Sequence, residues 1–202
     1  FTHAFDGDED RPENGEQVIV RIRLCHAHAM KIRGPAEVEF KAGLNFLIGP
    51  NGSGKSMLLR ALHECNRCFV EYRDSRRVHY FNAETMNPHA PDGPPGDMRN
   101  MILRTRGMFS SHGEIMKAAL TTVPLRRGET LLVDEPETGQ DASGVKRIRE
   151  GFDAIVKAGG QVIAATHHPL MLRGGHMIEL VPGYAERVQN EYRRALCEGR
   201  RQ

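Results

Sequence analysis

Gly49-Pro50-Asn51-Gly52-Ser53-Gly54-Lys55-Ser56 is the stretch on which the fold turns. The apolar run Leu44–Ile48 precedes it and residues 57–62 continue with helical spacing, so the octet reads as strand, tight loop and helix. Gly49, Gly52 and Gly54 accept backbone angles that side chains resist. Successive N–H groups can then point into one anion cradle at a helix N-terminus. Pro50, Asn51 and Ser53 complete the loop. Lys55 is expected against the outer phosphates of a nucleoside triphosphate, and the Ser56 hydroxyl on magnesium.

Outward from this loop, the chain alternates between the two periodicities. Residues 17–24 and 36–40 alternate apolar with polar, predicting a β-meander that leads into Leu44–Ile48. Arg21 and Arg23 fall on one face of the first segment, read as a solvated sheet face. Val78–Asn82 reads as a short strand, residues 113–123 as a helix and residues 129–133 as a strongly apolar strand. Val145, Ile148, Phe152 and Ile155 mark a helix closed by Gly159-Gly160. Gln161–Ala165 and residues 177–181 are further strands, and Tyr184, Val188 and Tyr192 stripe a C-terminal helix. Strands alternating with helices predict an α/β fold with a mostly parallel sheet and the ligand at its strand ends.

The apolar strand 129–133 runs into Asp134-Glu135. Opposite a phosphate loop, such a pair suits magnesium binding by Asp134 and activation of water by Glu135 as general base.

Asp134-Glu135-Pro136-Glu137 resembles the Walker B segment of the ABC ATPase superfamily, and three further segments fit the same pattern. Asp141 stands seven residues after Asp134, where that superfamily carries its D-loop aspartate. Thr166-His167 is similar to the switch histidine that contacts the γ-phosphate. Ser110-Ser111-His112-Gly113-Glu114 is similar to the ABC signature, with Ser111 and Gly113 in its two most characteristic places.

The resemblance implies a P-loop ATPase whose signature residues Ser111 and Gly113, with Asp141, complete the ATP site of another subunit. ATP would then drive a head-to-tail homodimer or heterodimer with two nucleotides sandwiched between protomers. The catalytic set it implies is Lys55, Glu135 and His167. No glutamine lies between Lys55 and Asp134 to serve as a glutamine loop. Asn82, Glu84 or Asn87 are the substitutes, with Glu84 chosen as a metal-site residue.

The short interval from Ser56 to Ser111 leaves little room for the helical subdomain of transporter ATPases, and no coiled-coil insertion is present. The chain therefore looks like the compact, AAA-class, SMC-like ATPases of bacteria without a coiled coil, a group associated with DNA repair or phage defence. A nucleotide-sensing module with little hydrolysis and a transporter motor subunit are the alternatives.

Size and composition agree with one domain over residues 17–202, since single domains run to roughly 250 residues. Residues 1–16, rich in Asp and Glu, are expected to form a flexible tail. Residues 83–100, with Pro88, Pro91, Pro94 and Pro95, are expected to form an insertion. No apolar stretch approaches the roughly 20 residues that span a bilayer, so no membrane role and a cytoplasmic location are expected.

The net charge of +2 provides no bulk field for nucleic acid. A local patch of Arg73, Arg76, Arg77, Arg99, Arg104 and Arg106 leaves DNA or RNA binding open beside a protein partner. Cys65 and Cys68, with His63 nearby, resemble half of a zinc site, but the matching second ligand pair is not evident. Leu58, Leu62, Cys65 and Phe69 share helical spacing, which predicts a helix through Phe69 with both thiols packed in the core.

Overall fold

The computed structural model describes residues 18–72, 78–82 and 127–198. Glu84, Ser111, Gly113, the acidic tail, the Pro-rich insertion, the helix expected over 113–123 and the arginine patch lie outside the described residues.

Two sheets form, and the sequence pattern says why they differ. The strands β3 (Leu44–Ile48), β5 (Val78–Asn82), β6 (Thr130–Asp134), β7 (Gln161–Ala165) and β8 (His176–Glu179) make a sheet of order β5-β6-β7-β3-β8 with every neighbouring pair parallel. All residues of β3, β6 and β7 are buried, as expected of central parallel strands covered on both faces.

The pleat sorts them. Leu47, Leu132, Ile163 and Ala165 join one core cluster with Leu58, Leu59 and Leu62 of helix α2 (Lys55–Glu64). Phe46, Ile48, Leu131, Val133, Val162 and Ala164 join a second cluster with Val145, Ile148, Phe152 and Ile155 of helix α3 (Ala142–Lys157).

Asp141 caps the N-terminus of α3 by accepting from the Gly144 N–H at 2.6 Å. At the other end Gly159 (φ 86°) takes the left-handed turn, as its pairing with Gly160 leads one to expect. Helix α4 (Tyr184–Glu198) ends the described chain, and no described helix is long and apolar enough to cross a membrane.

The second sheet is antiparallel, of order β2-β1-β4, from β1 (Ile19–Arg23), β2 (Glu37–Glu39) and β4 (Phe69–Tyr72), with the short helix α1 (His26–Ala29) between β1 and β2. Arg21, Ile22 and Arg23 pair antiparallel with Glu39, Val38 and Glu37, as the alternation of the two segments predicts. The third strand is a correction. α2 stops at Glu64, Cys65 turns to extended angles (φ −82°, ψ 112°), and Phe69 opens β4 instead of extending the helix. Strand pairing with β1 overrides the helical spacing that Phe69 shares with Leu58 and Leu62.

Arg21 pairs with Glu37 at 2.8 Å and Glu71 at 2.6 Å, and Arg23 with Glu37 at 3.0 Å, so this face neutralises itself across strands.

Gln161 joins the sheets. It is fully buried in β7, yet its amide accepts from Ile19 N–H and donates to Ile19 C=O, both at 2.9 Å, where the β1–β4 register shifts. The same amide accepts from Thr130 Oγ1 and donates to the Lys41 carbonyl, again at 2.9 Å each.

Candidate functional site

Strand order places the C-terminal ends of β3, β6 and β7 side by side, so the segments that follow them converge. The loop 49–54 follows β3 and delivers α2. Gly54 is its N-cap at φ 99°, and a Cβ there would come within 3.0 Å of Ile32 Cα, so glycine is required twice over. The Lys55 ammonium folds back onto the loop and donates to the carbonyls of Gly49 at 3.0 Å and Pro50 at 3.3 Å. Burial pushes its pKa down, and the carboxylates of Glu135, Asp134 and Glu137 oppose that shift.

The Ser56 hydroxyl donates to Asp134 Oδ1 at 3.0 Å, bringing the residues expected to share magnesium into contact across 78 positions of sequence. Asp134 Oδ2 accepts from Asn82 Nδ2 at 3.1 Å and from the Tyr80 hydroxyl at 3.3 Å. Burial raises the Asp134 pKa, and the hydrogen bonds from Ser56 and Tyr80 hold it back. A carboxylate and a hydroxyl touching at a strand end and a helix start are hard oxygen donors of the kind magnesium takes, so the residues present fit that ion.

Glu135 sits just past the strand end at φ 47°, the only non-glycine residue with positive φ among the described ones. Such backbone costs of order 1–3 kcal/mol and persists where the surroundings enforce it. Here the Glu135 N–H donates to the Ala165 carbonyl at 2.9 Å. Its side chain remains 40% exposed, with Oε1 3.5 Å from His167 Nε2. His167 has its pKa lowered by burial first and by the Lys55 charge second, with Glu135 and Glu137 opposing.

Five sequence-predicted residues, Lys55, Ser56, Asp134, Glu135 and His167, are thus brought together. Asp141 lies apart as the exposed helix cap, its carboxylate also accepting from Ser143 Oγ at 3.0 Å.

Sequence reasoning missed the braces. Glu137 Oε1 accepts from Thr166 Oγ1 and the His167 N–H, both at 2.7 Å, fixing the histidine backbone. The sequence alone gives Tyr80 no role and Asn82 only that of a glutamine substitute. Their contact with Asp134 follows from the β5–β6 register, in which Asn82 is the direct partner of Asp134.

Residues 22–89 match the AAA domain family. Among similar proteins, a cytochrome c biogenesis ATP-binding export protein, CcmA, of Novosphingobium aromaticivorans is 29% identical over 157 residues, covering 67% of this chain and 80% of that protein. CcmA of Bartonella henselae is 27% identical over 172 residues, covering 70% and 83%. A putative ABC transporter ATP-binding protein of Methanosarcina acetivorans is 39% identical over 70 residues, covering 35% of this chain and 24% of that protein.

Proposed function

We infer, from the premise that this chain is a P-loop domain of the ABC-ATPase type, that it binds ATP with magnesium and hydrolyses it to ADP and phosphate. The observation that carries the reading is the 3.0 Å contact between Ser56 Oγ and Asp134 Oδ1, with the Lys55 ammonium near enough to feel the Asp134 and Glu135 carboxylates. The loop N–H groups of 49–54 would receive the phosphates, and Lys55 would exchange its two carbonyl partners for phosphate oxygens. Ser56 and Asp134 would hold the magnesium, whose charge, when bound, offsets that of the β- and γ-oxygens.

Glu135, whose side chain stays partly exposed beside His167, is the base that takes the proton of the attacking water. His167, kept neutral by its burial, can place a ring N–H toward the γ-phosphate while Glu137 holds its backbone. Asn82, opposite Asp134, is the residue proposed to act in place of a glutamine loop, because its amide touches the metal-site carboxylate.

The dimer belongs to the same proposal: Ser111, Gly113 and Asp141 of one protomer would close the site of its partner. Glu135→Gln tests both parts. Turnover should fall by about 10²–10⁴-fold, and the variant should elute at twice the monomer mass when ATP and magnesium are present. An unchanged rate would remove Glu135 as the base. A variant that stays monomeric with ATP saturating would sink the sandwich.

The sequence resemblance favours coupling to nucleic acid in repair or defence, and a salt-dependent shift of duplex DNA by the purified protein is its test. The export-protein names of the relatives favour a second reading, a transporter motor, which requires a membrane subunit to copurify with the chain.

A further inference from the structure

The β1–β4 pairing and the end of α2 bring together a group of side chains that the nucleotide site does not use. Cys25, His28, Cys65 and Cys68 offer one ligand atom each, and those four atoms all lie within 4.8 Å of one another. Cys25 Sγ is 3.1 Å and Cys68 Sγ 3.4 Å from the same nitrogen, His28 Nδ1. We propose that these residues form a structural zinc site of the Cys3His type, built from Cys25-x-x-His28 at the N-terminus of α1 and Cys65-x-x-Cys68 on the turn between α2 and β4.

The donor set is the first argument. Thiolate sulfur with one imidazole nitrogen in a closed set of four suits a tetrahedral zinc without an open position. Zn–S bonds of about 2.3 Å and Zn–N bonds of about 2.0–2.1 Å put tetrahedral ligand atoms about 3.5–3.8 Å apart. The observed separations surround that spacing, so shifts of a fraction of an ångström would make all four atoms equidistant from one ion.

The backbone is the second. The Cys25 N–H donates to Cys68 Sγ at 3.3 Å. Amides aimed at sulfur stabilise a metal-bound thiolate and orient it, as outer partners do for metal ligands generally.

The turn that carries Cys65-x-x-Cys68 is the third: α2 is halted at Glu64, although its apolar spacing continues to Phe69, and the chain folds back toward α1.

The consequence reaches the phosphate loop. Residues 25–33 run from the ligands to the loop, where the Arg33 N–H donates to the Ser53 carbonyl at 2.9 Å and Ile32 lies against Gly54. A zinc at the Cys-His group would pin the end of this support that lies away from the loop.

The test is metal content and spectroscopy of the whole protein, prepared reduced and without chelator. About one zinc per chain is expected. Exchange for cobalt should give the intense visible and sulfur charge-transfer bands of a tetrahedral thiolate complex. Cys68→Ser and His28→Ala should lose the metal, and His28→Cys should retain it, as should His63→Ala, whose imidazole lies outside the group.

Should the serine variant fail to fold, the native protein still decides. Zinc extraction by chelator is expected to speed amide exchange across residues 26–33, and re-addition of zinc to reverse it. A reduced, folded protein that holds no zinc and binds no cobalt would overturn the proposal. So would a His28→Ala protein with undiminished zinc, or a Cys25–Cys68 disulfide found in place of metal.

Discussion

The two sheets answer burial in opposite ways. In the parallel sheet β3, β6 and β7 are buried throughout; Asp134, with Glu135 and His167 just beyond the strand ends, meets the phosphate loop, while Asn45, Thr130 and Gln161 lie toward the opposite ends. In the antiparallel sheet one face packs Ile19, Ile22 and Val38 into the core, while the other keeps Arg21, Arg23, Glu37 and Glu71 in water. Charge in the first sheet is desolvated and tuned, and in the second it is solvated and self-cancelling. The same residue types therefore carry different energetic weight in the two places.

The sharpest way to break this contrast is at the joint. Gln161→Leu fits the apolar interior of β7 but strands the Ile19 N–H and C=O, the Thr130 hydroxyl and the Lys41 carbonyl. With about 1–3 kcal/mol for each buried group left unpaired, a loss of several kcal/mol is expected in a urea unfolding curve, enough to bring the chain near its stability limit. A variant within 1 kcal/mol of the parent, by about the size of one ordinary hydrogen bond, would mean that the sheets do not depend on this amide.

A smaller effect separates the buried charges by pH. The folded state holds His167 below its ordinary value near 6.5, so between that value and the lowered one the unfolded chain binds more protons. Stability from this residue is therefore present above pH about 6.5 and is lost as pH falls through the window below it. His167→Asn should flatten the acid side of the denaturation midpoint plotted between pH 5 and 7. Parallel curves for the two proteins would contradict the assigned burial effect.

The smallest effect belongs to the wet face. Arg21→Ala removes two half-exposed ion pairs and should leave the urea midpoint nearly unmoved, with sodium chloride altering parent and variant alike. A clear loss would show the antiparallel face to be electrostatically as demanding as the parallel one.

Much of this was readable in advance because it is contiguous. Residues 49–56 carry their loop geometry in their own glycines, and Val145, Ile148, Phe152 and Ile155 repeat at helical spacing whatever they pack against. Asp134 and Glu135 were legible as the end of an apolar strand. Asn82 as a partner of Asp134 was not, because nothing in Val78–Asn82 announces which strand lies beside it or in which register. Phe69 misled for the same reason: its spacing satisfies α2, but hydrogen bonds to β1 were the stronger claim.

The cysteines show the limit most clearly. Cys65 and Cys68 were visible as a pair, and Cys25-x-x-His28 stood in the sequence as well. Pairing of Arg23 with Phe69 is what carries the two halves to one place.

By itself the sequence determined the elements whose signal lies within a few residues: the phosphate loop, the apolar strands, the amphipathic helices and the carboxylates at a strand end. Tertiary structure alone decided which of these became neighbours, from the Gln161 joint and the Asn82–Asp134 contact to the four-ligand group. Local periodicity follows from backbone geometry one turn or one pleat at a time, whereas strand order and register follow from the burial and hydrogen bonding of the whole chain.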